Sequence, residues 1–239
     1  LLLGEGYLYH IADVDRAVLA MEKGLSLGTY ADLEYGYQAY QMYTDRQVEM
    51  LGGDERVTAY RYAVNTLGNN FDRYPYDART ATYLGHVLDS APDEIIVNDD
   101  ELRLVLAKAI ELSPKRLQPW YLLANVDIRK ADQMSPGVQR DELYREGIQT
   151  LKEYADVVPK SAEPRYIIAT LYLVVGDPVE AKKWADEGLP LYVTDAPVAR
   201  RAARYYITVE DWENARRFLR DLVDSNPADY PVVYDLAKA

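Results

Sequence analysis

Cysteine is absent from the sequence. That removes a disulfide framework, a thiolate nucleophile and any cysteine-based zinc site, although it does not fix the compartment. Histidine is nearly absent too: only His10 and His86 occur, and nothing matches the His-Glu-x-x-His spacing that metal hydrolases need. A lone His86 on a helix reads as a surface or groove residue. Positive charge is in short supply, with 27 Lys and Arg against 39 Asp and Glu and a formal net charge of −12. This disfavours a nucleic-acid partner, which wants a basic stripe, and an anionic membrane surface. No apolar run reaches the ~20 residues that cross a bilayer, so no direct membrane insertion is expected of this segment. Neither a signal peptide nor a lipidation motif is visible. The opening Leu1-Leu2-Leu3 without an initiator Met reads as part of a longer polypeptide.

Catalytic signatures are missing as well. There is no phosphate-cradling loop and no Gly-x-Ser-x-Gly elbow, and Gly4-x-Gly6 lacks a third glycine. Asp99-Asp100-Glu101 lacks the alternating ligands and central glycine of a calcium loop. It reads as a helix start, where anions oppose the macrodipole. The residues therefore assign no catalytic group, no metal and no cofactor.

What the chain does have is tyrosine: 22 against 2 Phe. Tyrosine buries a ring and keeps a hydroxyl that wants a partner, which suits half-buried positions along a groove and equally the aromatic slots of a repeat.

A repeat is present. Gly147, Ala181 and Ala215 lie 34 residues apart in succession, each within a similar helical pattern. Ile168-Ala169 with Tyr172, and Ala202-Ala203 with Tyr206, place a small residue and an aromatic on one helical face. Leu123-Ala124 after Trp120, and Leu84-Gly85, continue the theme upstream. Gly176-Asp177-Pro178 and Glu210-Asp211-Trp212 read as turns within helix pairs. Pro75, Pro114, Pro159 and Pro227 close successive units, because proline lacks an amide donor and clashes with the preceding turn.

A 34-residue helix-turn-helix period resembles the tetratricopeptide repeat family. The match is strongest over 117–229, weaker over 55–116 and weakest over 1–54. The resemblance implies an all-α, right-handed α-solenoid of antiparallel helix pairs spanning 1–239 as one array. Its expected units are roughly 1–30, 31–75, 78–115, 117–160, 162–195, 196–229, and a partial or capping helix at 230–239. Long helices are expected at about 31–51 and 55–70, separated at Gly52-Gly53. Asn98 should open a helix over 99–112. An insertion after Asp127 should end at Ser135-Pro136 as the N-cap and first residue of a helix over 136–156.

The same resemblance implies a concave side lined by first helices, and so a non-catalytic scaffold that binds a protein or peptide partner. Counting the family's groove positions gives Arg79, Thr82 and His86, then Tyr121, Asn125 and Ile128. The next units give Tyr166, Thr170 and Leu173, then Arg200, Arg204 and Ile207. Arg200 and Arg204, one turn apart, suit a carboxylate, or else pair with neighbouring Asp and Glu. Asn125 matches one slot of the family's carboxylate clamp for acidic peptide C-termini. Tyr121, Tyr166 and Arg200 replace the clamp lysine, so that activity is not expected.

The segment Ala20 to Tyr30 with Glu34-Tyr35-Gly36-Tyr37 also resembles the junction before the helical C-terminal region of bacterial O-antigen ligase-like membrane proteins. That resemblance implies an extracytoplasmic appendage with a glycan as a further partner class. Without it, a cytoplasmic adaptor is expected.

Overall fold

The computed structural model describes residues 13–27, 31–45, 48, 53–226, 228 and 231. His10, Gly4, Gly6, Gly52, Pro227 and most of the expected helix at 230–239 lie outside the described residues. Eleven α-helices and no strand occur among the described residues. We number them α1 (Val14–Ser26), α2 (Asp32–Tyr43), α3 (Gly53–Arg73), α4 (Ala78–Asp89), α5 (Asp99–Leu112) and α6 (Leu117–Asp132). The chain continues with α7 (Val138–Val157), α8 (Glu163–Val174), α9 (Pro178–Gly188), α10 (Ala196–Thr208) and α11 (Trp212–Ser225). The helices group into two compact units, Leu1–Val126 and Asp127–Ala239. None of these helices is long and apolar enough to cross a membrane.

Local chemistry starts most of the helices. Asp13, Asp77, Asp177, Asp195 and Asp211 each accept a hydrogen bond from the backbone N–H three residues on, and Asn98 from that of Asp100. These side chains satisfy amides that have no partner within the helix, each contributing about 1 kcal/mol. The helix at Asp99–Leu112 follows its expected cap. The insertion does not end as expected. The N-cap of α7 is Gly137 rather than Ser135, it makes no side-chain capping bond, and residues 132–139 are exposed. The helix expected over 31–51 stops at Tyr43, where Thr44 returns its hydroxyl to the Tyr40 carbonyl.

In the second unit the 34-residue repeat is visible in the backbone. Gly176 ends α8 with φ +77°, and Glu210 ends α10 with φ 58°. Asp177 N–H bonds the Tyr172 carbonyl at 2.9 Å, and Asp211 N–H bonds the Tyr206 carbonyl at 2.9 Å. Both are Schellman closures with a left-handed residue that favours glycine. Only one of the two copies has the glycine. Glu210→Gly should therefore raise stability by about 1 kcal/mol, while Gly176→Ala should lower it by a similar amount. Urea midpoints that move in the same direction for both variants would contradict this account.

Small residues set the helix contacts. Ala169, Ala181 and Ala215 are completely buried and Ala203 nearly so. Around them Tyr166, Tyr206 and Phe218 form an aromatic core, with Tyr206 and Phe218 stacked at 5.6 Å. Lys152 ties α7, α8 and α9 together. Its ammonium donates to the Tyr172 hydroxyl at 2.7 Å and lies over the rings of Tyr172 and Trp184. Such cation–π contacts contribute about 0.5–2 kcal/mol.

Two of the closing prolines serve as acceptors. Trp120 Nε1 donates to the Pro114 carbonyl at 2.8 Å, and Arg165 Nη2 donates to the Pro159 carbonyl at 2.9 Å. Both donors sit six residues after their proline. A buried arginine thus occupies in one repeat the slot that tryptophan occupies in the preceding one. Arg165 also bonds the Ser161 carbonyl at 2.5 Å, and burial pulls its pKa below the usual arginine value.

Candidate functional site

Three first helices of the N-terminal unit, α2, α4 and the opening turns of α6, carry a row of aromatic and polar side chains. Tyr37 and Tyr40 come from α2, and Tyr83 and His86 from α4. Tyr40 and Tyr83 stack at 4.1 Å between ring centroids with 13° between planes. Tyr37 adjoins Tyr83 at 5.9 Å. The Tyr40 hydroxyl and His86 Nδ1 are 2.9 Å apart. Gln41 donates to the Tyr37 hydroxyl at 2.7 Å. On α6, Asn125 reaches back to the Asp89 carboxylate of α4 at 3.2 Å. Burial is the main reason that the Tyr40 phenol titrates above its ordinary value.

At one end of this row lies a hollow of about 50 Å³ bounded by Glu34, Tyr37, Asp77, Arg79 and Tyr83. Asp77 is committed to capping α4 through Thr80, and Glu34 holds Gln38 at 2.9 Å. Arg79 is exposed at the edge. The hollow is too small for an organic cofactor. No cluster of three metal-ligating side chains occurs among the described residues. The row offers stacking faces, amides and hydroxyls.

The structure sorts the expected groove residues. Arg79 and Tyr121 are exposed, and His86 and Asn125 are half-buried. Thr82 is not a groove residue: it is fully buried and bonds the Ala78 carbonyl at 2.7 Å. Its neighbour Tyr83 takes the outward place between Arg79 and His86. In the second unit Arg200 and Arg204 are exposed, and Thr170 is half-buried with its hydroxyl on the Tyr166 carbonyl.

Tyr166 is a correction. It is completely buried, with edge contacts to Tyr206 and Phe218. The reason is Gly188: a Cβ there would stand 3.3 Å from the Tyr166 ring, so the missing side chain leaves room for the ring to turn inward. Arg200, 34 residues later, has Leu222 in the place of Gly188 and points out.

Tyr37 and Tyr40 escaped the sequence count because the 31–75 unit does not keep the 34-residue phase, and Tyr83 because the count in the 78–115 unit fell one residue short, on Thr82. The usable signal was the i, i+3 spacing of Tyr37 and Tyr40 on one helix face. Many other tyrosines fill the core, among them Tyr35, Tyr43, Tyr60, Tyr62 and Tyr144.

Comparison with solved structures decides the fold. TTC0263, a thermophilic tetratricopeptide repeat protein of Thermus thermophilus, superposes with a TM-score of 0.58 over 87% of this chain and 96% of its own, at 14% identity. The chain has a tetratricopeptide-like fold. The human IFIT1 dimer, solved with m7Gppp-AAAA, gives a TM-score of 0.51 over 98% of this chain and 51% of its own, also at 14% identity. No protein-family profile and no curated protein matches the sequence. Two glycines of the segment that resembles an O-antigen ligase junction have a packing role in this tetratricopeptide-like fold. A Cβ on Gly24 would strike the Tyr35 hydroxyl, and one on Gly36 the Asn70 amide, so both glycines serve close helix contact. Residues 28–30 of that segment lie outside the described residues.

Proposed function

We propose that this chain is a non-catalytic scaffold whose first-helix face in the N-terminal unit binds a peptide segment of a protein partner. The observation that carries the reading is the Tyr37–Tyr83–Tyr40–His86 row. Tyrosine rings give large contact area at low entropy cost, and they dominate polypeptide recognition for that reason. Gln41, bonded to Tyr37 of the row, and Asn125, bonded to Asp89, would offer their amides to a bound main chain. The net charge of −12 disfavours a polyanion as the partner. Arg79 and Tyr121 stand at the margins of this face, and Arg200 and Arg204 are the corresponding polar positions in the second unit.

The test is peptide selection from a random display library on the intact chain, followed by affinity measurement on a Tyr37→Ser/Tyr83→Ser variant. Both rings are half-buried, so the variant should keep its far-UV circular dichroism. Selected peptides should lose about tenfold or more in affinity, as expected for aromatic anchors. Equal affinity for both proteins would remove this face as the site.

A further inference from the structure

On second helices α3 and α5 of the N-terminal unit, an open cleft of about 480 Å³ has no part in the face described above. Phe71, Pro75, Leu104 and Ala107 form its apolar lining. Leu104 is 64% exposed, and Tyr76, which follows Pro75, is 84% exposed. Large apolar side chains scattered singly over a surface need no explanation, but Leu104 lines this hollow and Tyr76 follows a proline that lines it.

A second feature points the same way. Gly68 lies in the interior of α3, one turn before Phe71 and Asp72 on the same side of the helix. Among the described residues, and its own helix backbone apart, no atom lies within 4 Å of where its Cβ would stand. Alanine would fit and would favour the helix by about 1 kcal/mol. The packing among the described residues does not require the glycine, whereas a backbone approaching from outside would.

The rim decides the sign of charge. Asp72 and Glu111 border the cleft. Among the described lining residues the one cation, Lys108, is engaged by Glu111 at 2.9 Å and lies over the Tyr76 ring. Asp100 and Glu101 are exposed one turn before Leu104. An apolar floor between two helices, with an excess of carboxylates around it, complements a helix that presents aliphatic anchors flanked by Lys and Arg.

We infer that the α3–α5 cleft is a second docking surface, and that its occupant is a cationic amphipathic helix of a partner protein. The aliphatic anchors lie over Phe71 and Leu104, the basic flanks meet Asp72 and Glu111, and the helix backbone passes closest at Gly68. This inference does not depend on the peptide-binding face, because different helices carry the two surfaces.

The test uses a fluorescein-labelled amphipathic peptide of Leu and Lys, its Leu/Glu counterpart, and fluorescence anisotropy on the intact chain. The Leu/Lys peptide should bind and the Leu/Glu peptide should not. Leu104→Ser and Gly68→Leu should each weaken binding about tenfold, the loss expected of a buried anchor. Asp54→Asn, an exposed charge at the far end of α3, should leave affinity unchanged. Circular dichroism confirms that each variant is folded. No binding of the Leu/Lys peptide would overturn the proposal. So would an equal response to Leu104→Ser and Asp54→Asn, since that would mean general attraction to an acidic surface.

Discussion

Replacing Phe218 by alanine should lower the unfolding free energy of the C-terminal unit by about 3–5 kcal/mol. Phe218 is completely buried on α11. Its ring meets Tyr192 at 4.7 Å, Tyr206 at 5.6 Å and Tyr166 at 5.9 Å, so four aromatic residues from three helices and a loop share one contact. The cavity left by alanine has rigid walls. Tyr166 and Tyr206 are themselves buried and packed edge to face at 6.1 Å, so neither collapses readily into the gap. In repeat architectures each unit touches mainly its neighbours, so the loss should stay local. Trp184 and Trp212 should report an earlier urea transition by fluorescence, while Trp120 of the N-terminal unit should not follow. Exposed Arg216→Ala serves as the control and should stay within about 0.5 kcal/mol. A Phe218→Ala variant as stable as that control would mean that the aromatic cluster is not the core of this unit.

The second large effect is alkaline unfolding. Burial, first among the causes in each case, pushes the phenols of Tyr60, Tyr62, Tyr144, Tyr192 and Tyr205 up to about 12. Asp132 adds to the shift at Tyr144 and Asp221 at Tyr192, because each carboxylate accepts the phenolic proton's hydrogen bond. Tyr166 is displaced further in the same direction. In the unfolded chain these groups titrate at their ordinary value of about 10. Between about pH 10 and 12 the unfolded chain has therefore released protons that the folded chain still holds. Stability falls with pH wherever the unfolded state binds fewer protons. The folded chain should keep its full stability below about pH 10 and lose it progressively up to about pH 12, with contributions from both units. Phenolate absorbance should rise cooperatively, together with the loss of helical circular dichroism. A smooth titration of all the tyrosines near their ordinary value, with helix content intact, would show that the phenols are not desolvated.

Local signals made much of this fold legible in advance. Asn98 opens α5 where its capping pattern indicated. Asp177 and Asp211 repeat one N-cap at an interval of 34, and the turns before them share one backbone closure. Caps and left-handed closures involve a few consecutive residues, so their chemistry is complete in the sequence. The insertion after Asp127 was less legible. Ser135-Pro136 has cap chemistry, yet the helix begins beyond Gly137, because no packed neighbour fixes that exposed segment.

The groove residues mark the boundary between the two kinds of knowledge. Helical periodicity states which residues share a face, but not how far the helix is rotated against its neighbours. One residue of ambiguity exchanged Thr82 for Tyr83. Tyr166 and Arg200 occupy the same repeat position, yet one is core and the other surface: Gly188 on α9 leaves room beside the Tyr166 ring, while a guanidinium is costly to bury. By itself the sequence determined the Asn98 cap and the repeat of the turns at Gly176-Asp177 and Glu210-Asp211, since those depend on near neighbours along the chain. The tertiary structure alone decided which tyrosines stack in a row, which fill the core, and that α3 and α5 leave an apolar cleft open. Those outcomes depend on the volume available between helices that are far apart in sequence.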